Sequence, residues 1–334
     1  MKDFFRGLAM LTAALLIFPA VPYIIGALAP KEDVAVVASA EVEKEPPPLD
    51  DSLAAVTEVH IYDTVAEREI LLTTEEYVAA ALAAQLSPET ETELLKAQAV
   101  LMYTYVLKRR LEERAAPTPE LHGCDVATDA NLYPRLALGG ESGYDLEFYR
   151  EIARSVAGEY LSYGGEPITV AYCFSAGTVT ESAETVLGTD IPYLRSVPSA
   201  EPDAYYTTVS YTSDEVFARL TTSPSGYVLL GEPSGWIAVK DAEKTGYVNE
   251  VYLDSRFILS GSELAELLNL PSARFTFRYS PSTDRFTFTV SGSGSLVGLS
   301  QRGGNALAAQ GSDYKDILKR YFTGAEIEST ASSA

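Results

Sequence analysis

From residue 56 onward the chain switches between two hydrophobic rhythms. In "VTEVHIYD" (56–63) and "EREILLT" (67–73), apolar and polar residues alternate, which predicts two short strands joined by a turn. The next segment repeats at helical spacing. Thr73, with Glu76 three residues on, is a capping box, and Tyr77, Val78, Ala81 and Leu82 then form an apolar face that ends near Gln85 and Leu86. Ser87 as N-cap and Pro88 at the first helical position predict a second helix, with a buried stripe of Leu94, Leu95, Gln98, Leu101, Met102 and Tyr105 running to Lys108. Gln85 is thereby placed at a helix-helix corner.

Further along, "TGYVNEVYLD" (245–254) and "SRFILSG" (255–261) read as strands before a short helix "SELAELLN" (262–269). "RFTFRYSPSTDRFTFTV" (274–290) reads as a hairpin whose Phe275, Phe277, Phe286 and Phe288 face a core. In "SDYKDILKRYF" (312–322), Tyr314, Ile317, Leu318 and Tyr321 share one helical face, and Gly324 supplies a stop. The fold class is α+β, with helices and antiparallel sheet mixed; a doubly wound parallel sheet does not fit the pattern.

The N-terminal pattern is of another kind. Gly7 to Ala29 carries no charge and is long enough to cross a bilayer core of about 30 Å. A cleaved signal peptide is the rival, but the stretch is long for one, and Pro30 follows the Ala27-Leu28-Ala29 site. Lys2 and Arg6 precede the span and acidic sequence follows it, so the N-terminus is expected in the cytoplasm and the rest outside. The expected organisation is a cytoplasmic tip and transmembrane anchor (1–29), an acidic stalk with Pro46, Pro47 and Pro48 (30–55), a main domain (56–326) with a possible insert containing Trp236 (about 198–246), and a disordered tail (327–334).

Composition narrows the chemistry. A net charge of −22 excludes nucleic acid as a partner, because phosphate neutralisation needs a basic surface. With only Cys124 and Cys173, whose pairing the sequence leaves open, neither a disulfide framework nor a four-cysteine metal site is available, and histidine is as scarce, with only His60 and His122. His60 alternates with Val59 and Ile61, which puts it on the outer face of a strand. The 21 tyrosines suit sheet and core, and also sugar stacking. "CFSAG" lacks the first glycine of a nucleophile elbow, so Ser175 is not read as a hydrolase nucleophile.

Three blocks, in order, carry a resemblance. "EEYVAAALAAQLSPETETELLKAQAVLMYTY" resembles the opening block of the stage II sporulation protein D (SpoIID/LytB) family, roughly E-Y-V-x-x-V-x-x-E-M-P followed by E-A-L-K-A-Q-A-x-x-A-R-T-Y; Glu93, Lys96, Ala97, Gln98, Ala99, Thr104 and Tyr105 match. "FSAGTVTESAETVLGTDIPYLRSVPSAEPD" is similar to the second block, and "VSGSGSLVGLSQRGGNALAAQGSDYKDILKRYFTGAEI" to the last.

The resemblance implies a peptidoglycan lytic transglycosylase of the sporulation engulfment machinery. One glutamic acid protonates the glycosidic oxygen and then takes a proton from the sugar's 6-hydroxyl, leaving an anhydro end. That glutamate falls at Gln85. Two more departures are Tyr103, where the family carries arginine, and Ser295, where it carries histidine. Of the family's zinc-capable loop only His122 and Cys124 remain, so no metal or other cofactor is expected. The reading is a membrane-anchored protein that binds peptidoglycan glycan strands beside other engulfment wall-remodelling proteins, with the lytic step lost or weakened. Gln85, Tyr103, Tyr105, Ser175, Thr180, Ser295 and Gln301 are its expected substrate contacts. The alternative is an active enzyme with a relocated acid, for which Glu181 is the candidate ahead of Glu89, Glu91 and Glu93, whose carboxylates suit a helix N-terminus.

Overall fold

The computed structural model describes residues 56–130, 132–138, 145–203 and 205–330. The expected anchor and stalk, and residues 331–334, lie outside them. Among the described residues no helix is long and apolar enough to cross a membrane. The described chain divides into two compact units, one running to Val170 and resuming at Ala325, the other Ala171–Gly324.

The first unit opens with β1 (Glu58–Asp63) and β2 (Arg68–Thr73), paired antiparallel as the alternation predicts. Val59 and Ile61 are buried, while the His60 ring is half exposed and pairs across the strands with Glu69. The capping box forms at Thr73: its hydroxyl accepts from the Glu76 amide while the Glu76 carboxylate accepts from the Thr73 amide at 3.0 Å, opening α1 (Thr74–Gln85). The second helix starts later than expected. Ser87–Thr90 form a turn closed by Thr90 N–H donating to the Ser87 carbonyl at 3.1 Å, and α2 (Thr92–Ala115) begins after it with no side-chain cap. Ser at the first and Pro at the second position suit a type I turn as well as a helix start, and here the turn wins. The helix also runs well past Lys108, because Arg109 and Arg110 bond to Glu113 and Asp125 and bury their stems.

The stripe expected on α2 is buried, and so are Ala97, Ala99, Val100, Thr104, Val106 and Leu107. The cause is packing from several directions: α1, α3 (Leu146–Ser155), β4 (Glu159–Tyr163) and β5 (Glu166–Pro167) all touch α2. Arg110 donates to both Asp125 oxygens at 2.9 and 2.6 Å, and Asp125 accepts from the His60 amide at 2.9 Å, fastening β3 (Val126–Ala127) parallel to β1. The final strand corrects the expected tail: β14 (Glu326–Ser329) pairs antiparallel with β4, and the Glu328 carboxylate accepts from the Tyr160 and Ser162 hydroxyls at 2.8 and 2.5 Å.

The second unit contains β6 (Tyr172–Cys173), α4 (Ala183–Leu187), β7 (Tyr206–Thr212), α5 (Ser213–Thr221), β8 (Ile237–Ala242), β9 (Val248–Leu253) and β10 (Phe257–Ser260). It continues with α6 (Gly261–Leu267), β11 (Phe275–Ser280), β12 (Arg285–Ser291), β13 (Leu299–Ser300), α7 (Gln301–Ala309) and α8 (Tyr314–Tyr321). Two antiparallel sheets, ordered β11-β12-β7 and β10-β9-β8, close on one core. Phe275, Phe286 and Phe288 are buried in it as the hairpin pattern predicts, and Trp236 stacks on Phe286 at 6.1 Å. The 198–246 stretch is therefore not a separate insert. It supplies β7 to the hairpin's sheet and β8 to that of β9, and its Val216, Leu220 and Trp236 share the same core. On α8, Ile317, Leu318 and Tyr321 are buried. Among the described strands the parallel pairings, β1 with β3 and β6 with β13, are short pieces in a mainly antiparallel α+β structure.

Candidate functional site

Gln85 ends α1 on a well-tied corner. The Leu86 amide donates to the Leu82 carbonyl at 2.9 Å, and the Leu86 carbonyl accepts from the Tyr149 hydroxyl at 2.6 Å. The Gln85 side chain is half buried between two residues of α2. Gln98 Nε2 donates to its Oε1 at 3.3 Å, and its own Nε2 lies 3.6 Å from Met102 Sδ. Gln98 is fully buried among apolar neighbours, and its Oε1 is enclosed with no hydrogen-bond partner among the described residues. An enclosed amide is unfavourable unless it bonds, so Gln98 is best explained by its contact with residue 85. A carboxyl group at position 85 would meet a donor and an acceptor there; an amide meets the same pair and has no acidic proton to give.

Tyr103 and Tyr105, both expected on a ligand, are enclosed. The Tyr103 hydroxyl sits 2.8 Å from Thr330 Oγ1, and burial raises its pKa. Tyr105 is likewise enclosed, and desolvation lifts its phenol well above the ordinary range. His122 adopts a left-handed conformation with its ring 4.4 Å from that of Tyr62, and burial raises the Cys124 thiol pKa. Both cysteines are buried and free, and among the described residues no group of three or more His, Cys, Asp and Glu stands together to hold a metal.

The other expected residues belong to the second unit and mostly brace it. Ser175 and Thr180 are fully buried; Ser175 Oγ donates to Glu201 at 2.6 Å, and Thr180 Oγ1 accepts from the Val197 amide at 2.9 Å. Gln301 is enclosed at the first turn of α7, and the Ser295 hydroxyl, partly exposed, accepts from the Val297 amide at 3.4 Å. Glu181 is neither solvated nor open. Its side chain is 3% exposed, and its Oε1 accepts from Arg274 Nη2 at 2.5 Å.

Two residues that the sequence did not single out organise this region. Arg274 also donates to the Ala176 and Val179 carbonyls at 2.6 and 2.9 Å. Glu201, with its carboxylate enclosed, accepts from Ser175 Oγ, from the Ala176 amide at 2.8 Å, from Ser300 Oγ at 2.8 Å and from Arg302 Nε at 3.3 Å. No local signal could have found these contacts, since the partners lie 93 residues apart for Arg274 with Glu181 and 99 for Glu201 with Ser300.

Residues 64–163, which include the Gln85 corner, match the family pattern described as SpoIID, stage II sporulation protein. The chain is 27% identical over 282 residues to stage II sporulation protein D of Bacillus subtilis (strain 168), covering 82% of this chain and 80% of that protein. It is 29% identical over 261 residues to stage II sporulation protein D of Bacillus amyloliquefaciens, covering 76% and 73%. An uncharacterized protein of Brachyspira hyodysenteriae (strain ATCC 49526 / WA1) is 27% identical over 282 residues, covering 84% and 70%. A SpoIID domain pattern around the helix corner, and similarity over most of the chain to proteins named stage II sporulation protein D, are what the chain shares with that family.

Proposed function

We propose that this protein is a sporulation protein that engages peptidoglycan glycan strands with its lytic step lost or greatly slowed. The observation that carries the reading is the Gln85 corner: the side chain in the family's acid position is an amide held by Gln98 and set against Met102. The site keeps hydrogen-bonding capacity for a sugar and lacks the proton that cleavage requires. Losing a general acid costs about 10² to 10⁴ in rate. Glu181 is a poor substitute, because its enclosed carboxylate is already bonded to Arg274. The protein acts from the membrane through its N-terminal segment, with both units in the wall space beside other engulfment wall-remodelling proteins.

The experiment is digestion of peptide-stripped glycan strands by the full chain and by its Gln85→Glu variant, with anhydro-muramic ends read by mass spectrometry. Retention of strands without cleavage by the native chain, and cleavage by Gln85→Glu, is the expected result. Anhydro products from the native chain would refute the loss of the lytic step.

A further inference from the structure

The loop from Phe174 to Thr180 lies at the surface, yet its main chain is bound by protein. The Phe174 carbonyl accepts from the Arg302 amide at 3.0 Å, Ser175 exchanges two main-chain bonds with Ser293 at 3.2 and 2.8 Å, and the Thr178 carbonyl accepts from the Ser199 amide at 2.9 Å. The enclosed Glu201 takes the Ala176 amide while the enclosed Arg274 takes the Ala176 and Val179 carbonyls. Gly177 turns at φ +66, and an added Cβ would lie 3.3 Å from Ser291 Oγ and 3.4 Å from Arg274 Nη1. Enclosing two charged groups is costly unless they are bonded; here Glu201 and the Arg274 Nη atoms place their bonds on this loop's main chain, although Arg274 Nε is enclosed without a partner among the described residues.

That loop presents an aromatic ring. Phe174 is 42% exposed between the buried Cys173 and Ser175, and its ring is propped edge-on by Tyr205 with centroids 5.5 Å apart. The Tyr205 ring lies 5.4 Å beneath the Arg302 guanidinium, which is itself bonded to Glu201 and to Asp203 at 2.9 Å. An isolated exposed apolar residue needs no explanation. A ring braced by a tyrosine and an arginine on an immobilised loop is different, because it offers apolar area with little rotamer entropy left to lose. Arg302 is balanced by two carboxylates, so the rim offers hydrogen bonds without a free cation. That combination suits an uncharged ring with one apolar face and a polar edge.

We propose that Phe174, braced by Tyr205 and Arg302, is a stacking platform for a neutral pyranose ring of the glycan strand. This deepens the glycan-binding reading and rests on it, but it belongs to the second unit and is independent of Gln85. The test is titration of the full chain with peptide-stripped glycan strands, comparing Phe174→Ala, Phe174→Tyr and Gln85→Ala, with thermal unfolding of each. Phe174→Ala is expected to weaken binding by about tenfold or more with an unchanged melting temperature, and Phe174→Tyr to restore affinity to within about threefold. Native-like affinity in folded Phe174→Ala overturns the platform whatever Gln85→Ala does. Native-like affinity in Gln85→Ala with weakened Phe174→Ala leaves the platform standing and removes Gln85 from the binding site. A native chain that binds no glycan overturns both.

Discussion

The Arg274–Glu181 pair sets the strongest quantitative test of whether Glu181 is a strut or a spare acid. In Arg274→Met, the Glu181 carboxyl loses its partner with 3% of its side chain exposed, and the Ala176 and Val179 carbonyls lose donors now at 2.6 and 2.9 Å. Removing one partner of a buried pair costs about 3–5 kcal/mol, whereas a surface pair contributes about 1 kcal/mol or less. For a unit of this size each kcal/mol moves the midpoint by roughly 2–4 °C, so the transition of the second unit should fall by roughly 6–20 °C. Scanning calorimetry and urea unfolding of the full chain read this. The double variant Arg274→Met with Glu181→Leu should recover part of the loss, because it also removes the orphaned carboxyl group. A cost below about 1 kcal/mol for Arg274→Met would refute the reasoning, and Glu181 would again be available for acid chemistry.

Two further outcomes follow from the second unit. Burial pushes the Tyr247 and Tyr321 phenols up to about 12, against about 10 in the unfolded chain. Because the folded state holds the neutral form, this stability is complete below about pH 10 and is lost as pH rises through about 12, at about 1.4 kcal/mol per pH unit for each tyrosine. Urea midpoints between about pH 9 and 11.5 should fall less steeply in Tyr321→Phe; equal slopes would contradict the assignment. At Gly298, φ is +74 and an added Cβ would lie 2.0 Å from the Ala171 carbonyl oxygen, so Gly298→Ala should leave the second unit unfolded by circular dichroism, and a native melting profile would disprove this.

Local signals in the sequence were reliable where one element decides its own geometry. Thr73 and Glu76 are three residues apart and form the expected box, and the alternating phenylalanines of β11 and β12 need only the two-residue period and a turn to find the core. The Ser87–Pro88 start failed because the same pair stabilises a turn, and nothing nearby weighs one use against the other. The burial of Tyr103 and Tyr105 escaped because it is set by segments far along the chain; Thr330, which meets the Tyr103 hydroxyl, is 227 residues away.

The candidate site divides along the same line. That position 85 lacks an acid is visible from one letter, since an amide has no proton to donate at neutral pH. What that amide does is not, because Gln98 reads as one more position on a buried helical stripe and only the folded corner brings its Nε2 to 3.3 Å from Gln85 Oε1. Likewise Ser175 stands out in its block, but Glu201 takes its hydroxyl and the loop turns its neighbour Phe174 outward. Residue type shows that position 85 holds an amide rather than an acid, and long-range pairing decides which side chains stay exposed.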